Sequence, residues 1–130
     1  MTNRDIYISA LAMLAESSVD GDNEDYEERA PYLLAAFCTE ARDTDASLRI
    51  ALDERESDDF NAVFIPLEND FPLLDRFSSA ASLYLAAMLI IDDFPEMSDR
   101  LYDRYCDAMS SIGRCVPAVC ESIQDRYFYD

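Results

Sequence analysis

The sequence predicts an all-α, four-helix-bundle-like domain with a buried central helix and a partly extended C-terminal tail. Three observations carry that prediction. Apolar residues recur at three- and four-residue intervals in four separate stretches, the signature of amphipathic helices. Half the residues are apolar, too many for a disordered acidic chain and enough for one buried core at this length. The run from Phe77 to Ile91 contains no charged residue, as expected of a helix buried on several sides.

The elements follow in order. Thr2 or Asn3 can cap a first helix, with Asp5 in its first turn and Ile6, Ala10, Leu11 and Leu14 on one stripe. It should end near Glu16 or Ser17, before a turn-rich loop from Ser18 to Asn23. A second helix is expected from Asn23 to Arg42, its core stripe Tyr26, Ala30, Leu33, Leu34, Phe37 and Ala41. Pro31 lies inside it and predicts a kink or a later start, because proline removes a helix hydrogen bond. Asp43 to Phe60 carries only a weak stripe of Leu48, Ala51 and Leu52, and fits a short helix or a mobile loop equally well.

Ala62 to Ile65 reads as a short extended segment packed on the bundle. Pro72 opens the third helix, which should run to Asp92 and be the central one. Pro95 to Ile112 is the fourth, with Met97, Leu101, Tyr105, Ala108 and Ile112 inward and a charged outer face. Glu96 with Arg100, and Arg104 with Asp107, are expected surface pairs on that face. Gly113 stops the helix. Residues 1–113 thus form the helical domain and 114–130 the tail. Tyr127, Phe128 and Tyr129 near its end predict docking, onto this bundle or onto a neighbouring subunit.

Composition removes most chemistry. The chain has no histidine, and all ten of its Lys-plus-Arg residues are arginines. Histidine is the usual acid–base and metal-ligating side chain, and lysine supplies Schiff bases and the phosphate-loop cation. No cofactor and no enzymatic activity are therefore expected, and no catalytic or metal-binding residue is nominated. With 28 acids the formal net charge is −18, which disfavours tight nucleic-acid binding and anionic membranes. The longest uncharged run is shorter than the ~20 residues of a membrane span. No basic-then-apolar stretch opens the sequence, so a secretory signal is not expected.

Three motifs fail on inspection. Asp20, Asp22 and Glu24 fall at the first, third and fifth positions of an EF-hand loop, but Asp25 stands where glycine makes the turn and Pro31 where glutamate binds bidentately. Cys38, Cys106, Cys115 and Cys120 form no C-x-x-C pair, and read as buried free thiols in a reducing compartment. A di-metal carboxylate bundle needs histidines that the chain lacks. The acidic row Asp20, Asp22, Glu24, Asp25, Glu27 and Glu28 is a candidate surface, and with Asp43 to Asp59 it raises the alternative of a DNA-mimicking inhibitor.

Three stretches carry a family resemblance: Asp25 to Cys38, Pro66 to Leu74 with the Ala-rich helix and Leu101 to Tyr105 after it, and Val116 to Tyr127. They resemble small proteins encoded among the head and neck genes of bacteriophages and prophages, and helical head–tail connector proteins in particular. The likeness is one of pattern over most of the chain. It implies a structural assembly protein that forms a homo-oligomer or docks on other phage structural proteins, in the host cytoplasm or in the virion. No catalytic residues come with it.

Overall fold

The computed structural model describes residues 1–15 and 23–115. Within them lie four α-helices and no β-strand: α1 (Asn3–Ala15), α2 (Asn23–Ala51), α3 (Ser78–Leu89) and α4 (Pro95–Gly113), with a 3-10 turn at Asp75–Phe77 leading into α3. Helix α3 is central and packs against each of the other three. Its lining includes Ala80, Ala81, Leu83, Leu85, Ala86, Ala87 and Leu89, all buried. The alanines let neighbouring backbones approach closely, while Leu85 and Leu89 supply apolar area worth about 1.5–3 kcal/mol each on burial.

Helix α1 begins with reciprocal capping. The Thr2 hydroxyl accepts from the Asp5 N–H at 3.3 Å, and the Thr2 N–H donates to the Asp5 carboxylate at 2.8 Å. These bonds hold the Asp5 carboxyl below its ordinary range. The N–H groups of Asn3 and Arg4 have no partner within the helix. They donate to the carbonyls of Asn69 (2.9 Å) and Leu67 (2.8 Å), so a distant segment completes the helix start.

Helix α2 departs furthest from expectation. It starts at Asn23, runs through Pro31 and continues to Ala51, nine residues past the expected end at Arg42. The reason is Asp45. The buried stripe Leu34, Phe37, Ala41 continues at helical spacing through Asp45 to Leu48, and Asp45 is 1% exposed. A carboxylate at a core position breaks the apolar pattern without breaking the helix. The end at Ala51 is a Schellman motif: Glu54 N–H donates to the Arg49 carbonyl at 2.8 Å and Asp53 N–H to that of Ile50 at 3.2 Å, with Asp53 left-handed at φ 55°.

Helix α3 is shorter than expected, because Asp75–Phe77 is 3-10 and the chain leaves the helix after Leu89. Ile91, the last residue of the uncharged run, is exposed. Arg29 of α2 reaches the end of α3 and donates to the carbonyls of Met88 (3.1 Å) and Leu89 (3.3 Å). A cation there satisfies open carbonyls and meets the negative end of the helix dipole, worth roughly 0.3–1 kcal/mol. Helix α4 buries Leu101 and Tyr105 and half-buries Met97, Ala108 and Ile112, as its spacing predicts. The Glu96–Arg100 and Arg104–Asp107 pairs are absent from the ion pairs of the described residues. Exposed side chains lose more rotamer freedom in such a pair than water-screened attraction returns.

Rings from three helices meet where α2, α3 and α4 converge. Phe37 lies 5.9 Å from Tyr84 and 6.0 Å from Tyr105, centroid to centroid, and the two tyrosines are 5.2 Å apart. Burial raises both phenol pKa values. Cys38 is fully buried, and burial pushes its thiol up to about 12. Cys106 and Cys115 are exposed, contrary to the expectation that the thiols are buried, because both fall on the solvent side of the last turns of α4 and its exit.

Candidate interaction surface

Between α2 and α3 the chain makes a long excursion, residues 52–74, without helix or strand. Within it one backbone pair is made, Asn69 N–H to the Pro66 carbonyl at 3.2 Å, so other groups must hold most of it. Arg49 and Asp45 hold one end. The Arg49 Nε donates to Asp45 at 2.9 Å, Nη1 to the Arg55 carbonyl at 2.7 Å and Nη2 to the Pro72 carbonyl at 3.2 Å. The second carboxylate oxygen of Asp45 accepts the Leu74 N–H at 2.9 Å. One charge pair, three-quarters or more shielded from water, thus fixes entry and exit of the excursion together.

The middle is held at α1 and at Pro31. The Asn3 side-chain amide donates to the Pro66 carbonyl at 2.9 Å, and the Ile65 N–H donates to the Pro31 carbonyl at 3.1 Å. Arg4 bridges Glu27 of α2 (2.9 Å) and Glu68 of the excursion (2.6 Å). The Arg4 guanidinium hydrogen bond holds the Glu68 carboxyl below its usual range, and Glu68 and Glu27 in turn raise Arg4. Ile65, Leu67, Phe71 and Leu73 drop into the core between these anchors.

What this leaves outside is an aromatic crest. Tyr32 on the outer face of α2 meets Phe64 edge-to-face at 5.0 Å, and the two rings are 55% and 38% exposed. Val63 beside them is 66% exposed. A cavity of about 520 Å³ opens against the crest, floored by Pro31, Pro66 and Leu67 and edged by Arg4, Glu27, Glu28 and Glu68. Phe64 also walls a second cavity of about 440 Å³, edged by Glu56, Asp58, Asp59 and Asp70 and by Arg49 and Arg55. Apolar ground between acidic edges can hold an apolar side chain carried on a cationic chain.

The nominated residues fall unevenly. Asp20, Asp22 and the Glu24 side chain lie outside the described residues, as do Tyr127, Phe128 and Tyr129. Asp25, Glu27 and Glu28 are exposed on the first turns of α2. Two of them are engaged: Glu27 with Arg4, and Asp25 with Arg29 at 3.4 Å. Asp45, counted within the second acidic segment, is buried and belongs to the scaffold. Tyr32 and Phe64 were not singled out by the sequence; the only signal was an aromatic off the α2 stripe and another in an apolar run between Asn61 and Pro66.

Among the described residues no three Cys, Asp or Glu side chains gather as a metal site, and no helix is long and apolar enough to cross a membrane. Comparison with protein families, with curated proteins and with solved structures finds no match to this chain.

Proposed function

We propose that this chain is a non-enzymatic assembly protein that works by docking on other proteins, of the kind found at the head–tail junction of phages and prophages. One observation carries the reading: the Tyr32–Phe64 crest with Val63, where exposed apolar side chains cluster beside acidic ones. Exposed apolar ground rimmed by polar groups is the mark of a protein contact. The pattern resemblance supplies the phage setting, and the charge of −18 suits a component that adjoins DNA without holding it. Its partners would be other phage structural proteins or further copies of itself, in the host cytoplasm or the virion.

The test is light scattering on the purified chain, alone and mixed with the portal-type protein encoded nearest its gene. A defined complex or ring supports the reading. A strict monomer that never joins such a partner overturns it.

A second reading, a DNA-mimicking inhibitor, draws on the exposed acids Asp53, Glu54, Glu56, Asp58 and Asp59 in one short stretch. Against it stand the arginines that engage Asp25 and Glu27 in the other acidic row. Inhibition of a DNA-binding enzyme that disappears on neutralising Asp58, Asp59 and Glu56 would favour the mimic; no inhibition of any host enzyme tested would remove it.

A further inference from the structure

We propose that the cavity beside the Tyr32–Phe64 crest is the docking site for a basic, extended segment of a partner protein, which inserts a proline or leucine between flanking arginines or lysines. The inference rests on the docking reading above and assigns it a place and a chemistry.

Three features select that occupant. The floor and wall are Pro31, Pro66, Leu67 and the two rings, a surface that accepts an apolar side chain and offers flat faces to a proline ring. The edges are acidic: Glu28 forms no ion pair among the described residues, and Glu27 and Glu68 together exceed the single Arg4 between them. Beyond Phe64 the next cavity is edged by Glu56, Asp58, Asp59 and Asp70, which outnumber the Arg49 and Arg55 that also line it. A bound segment therefore meets carboxylates on both sides of its apolar anchor.

Other occupants fit worse. A second copy would bring its own charge of −18 against this one, and like-charge contact is costly. Strand addition needs an open sheet edge, and the described residues contain only an isolated bridge between Thr2 and Asp70. An extended proline-bearing segment enters such a groove with little conformational freedom left to lose.

The probe is a fluorescein-labelled peptide Arg-Arg-Pro-Leu-Pro-Arg-Arg, with Arg-Arg-Gly-Ser-Gly-Arg-Arg as the polar control, titrated by anisotropy against the full chain. Binding should fall roughly tenfold or more in Tyr32→Ala and in Phe64→Ala, in line with the loss of a buried anchor contact. Glu28→Gln should weaken it about two- to fivefold and flatten its salt dependence. Asp103→Asn on the outer face of α4 should leave it unchanged. Both aromatic side chains are exposed, so circular dichroism should report unaltered folding.

The proposal is overturned if the peptide does not bind, if the control binds as well, or if neither aromatic substitution matters. Light scattering on Tyr32→Ala separates the two levels. A portal-type complex formed equally by wild type and variant sinks this site and spares the docking reading. Peptide binding that depends on Tyr32, with no portal-type complex, sinks the phage reading and spares the site. A homo-oligomer of the wild type that Tyr32→Ala dissolves makes a second copy the occupant and overturns the proposal.

Discussion

Helix α3 and the excursion 52–74 belong to one core but are held in it by opposite means. Helix α3 contains no charge, and its side chains are packed on nearly every face. The excursion buries only four apolar residues between Ile65 and Leu73, and is placed by donors and acceptors contributed from α1 and α2. Area burial is non-directional and suits an element whose own hydrogen bonds are complete. An irregular segment has open backbone groups, so specific partners decide where it lies. That division explains why the exposed crest sits on the excursion: its scaffold is fixed beneath, while Val63 and Phe64 are left free of the core.

The largest effect should come from the packed side. Phe77 is fully buried at the entry to α3. Phe77→Ala should cost about 3–5 kcal/mol in a urea titration, the sum of lost transfer energy and the cavity left behind. A cost below about 1 kcal/mol would mean that α3 is not the centre of the core.

The next largest should come from the polar side. Asp45→Ala leaves the Arg49 guanidinium and the Leu74 N–H without their partner in a shielded place, and should cost about 3 kcal/mol. Hydrogen exchange distinguishes the two halves. The Leu74 amide should lose protection early in Asp45→Ala, while the amides of α3 keep theirs until global unfolding. Loss of protection in both together would erase the contrast.

Legibility follows the same division. The four helices, the central place of α3 and the inward face of α4 were readable because periodicity reports area burial. Two features escaped for one reason each. The second half of α2 was hidden by Asp45, a charge standing at a core position where the stripe from Ala41 to Leu48 needed an apolar residue. The crest was hidden because Tyr32 and Phe64 lie far apart in sequence, and their meeting depends on bonds such as Ile65 N–H to the Pro31 carbonyl, which no local pattern encodes. Pro31, which predicted a kink or a later start, lies inside α2 without delaying its start, and its carbonyl carries an anchor.

Extremes of pH should attack the two regions separately. Cys38, Tyr84 and Tyr105 all have raised pKa values in the fold, Cys38 to about 12 from an ordinary 9.0. Above pH 9 the unfolded chain loses these protons before the native one does. Stability from these groups is therefore complete below their unfolded values and is lost as pH rises toward their folded ones. Native Cys38 should also resist a thiol reagent that labels Cys106 and Cys115, since the reactive species is the thiolate. Acid works on the excursion and the start of α1. Glu68 and Asp5 are held low, so their contribution is present above the ordinary carboxylate range and is lost as pH falls through their folded values. Acid exchange should thus loosen the 67–69 contact with α1 before the α2–α3–α4 junction.

The smallest expected effect is the most discriminating. Arg55 sits in the excursion beside the Arg49 clamp, and its side chain pairs with Asp58 at 3.7 Å with both groups more than four-fifths exposed. Pairs of that kind contribute roughly nothing to about 1 kcal/mol. What the clamp uses is the Arg55 carbonyl, which accepts from Arg49 at 2.7 Å and survives any side-chain change. Arg55→Ala should therefore leave the urea midpoint where it is, whereas Arg49→Ala, in the same ion-paired neighbourhood, should shift it clearly. If Arg55→Ala were as damaging as Arg49→Ala, the excursion would be held by its surface charges rather than by a shielded clamp on its backbone, and the contrast with α3 would need to be redrawn around the acidic coat.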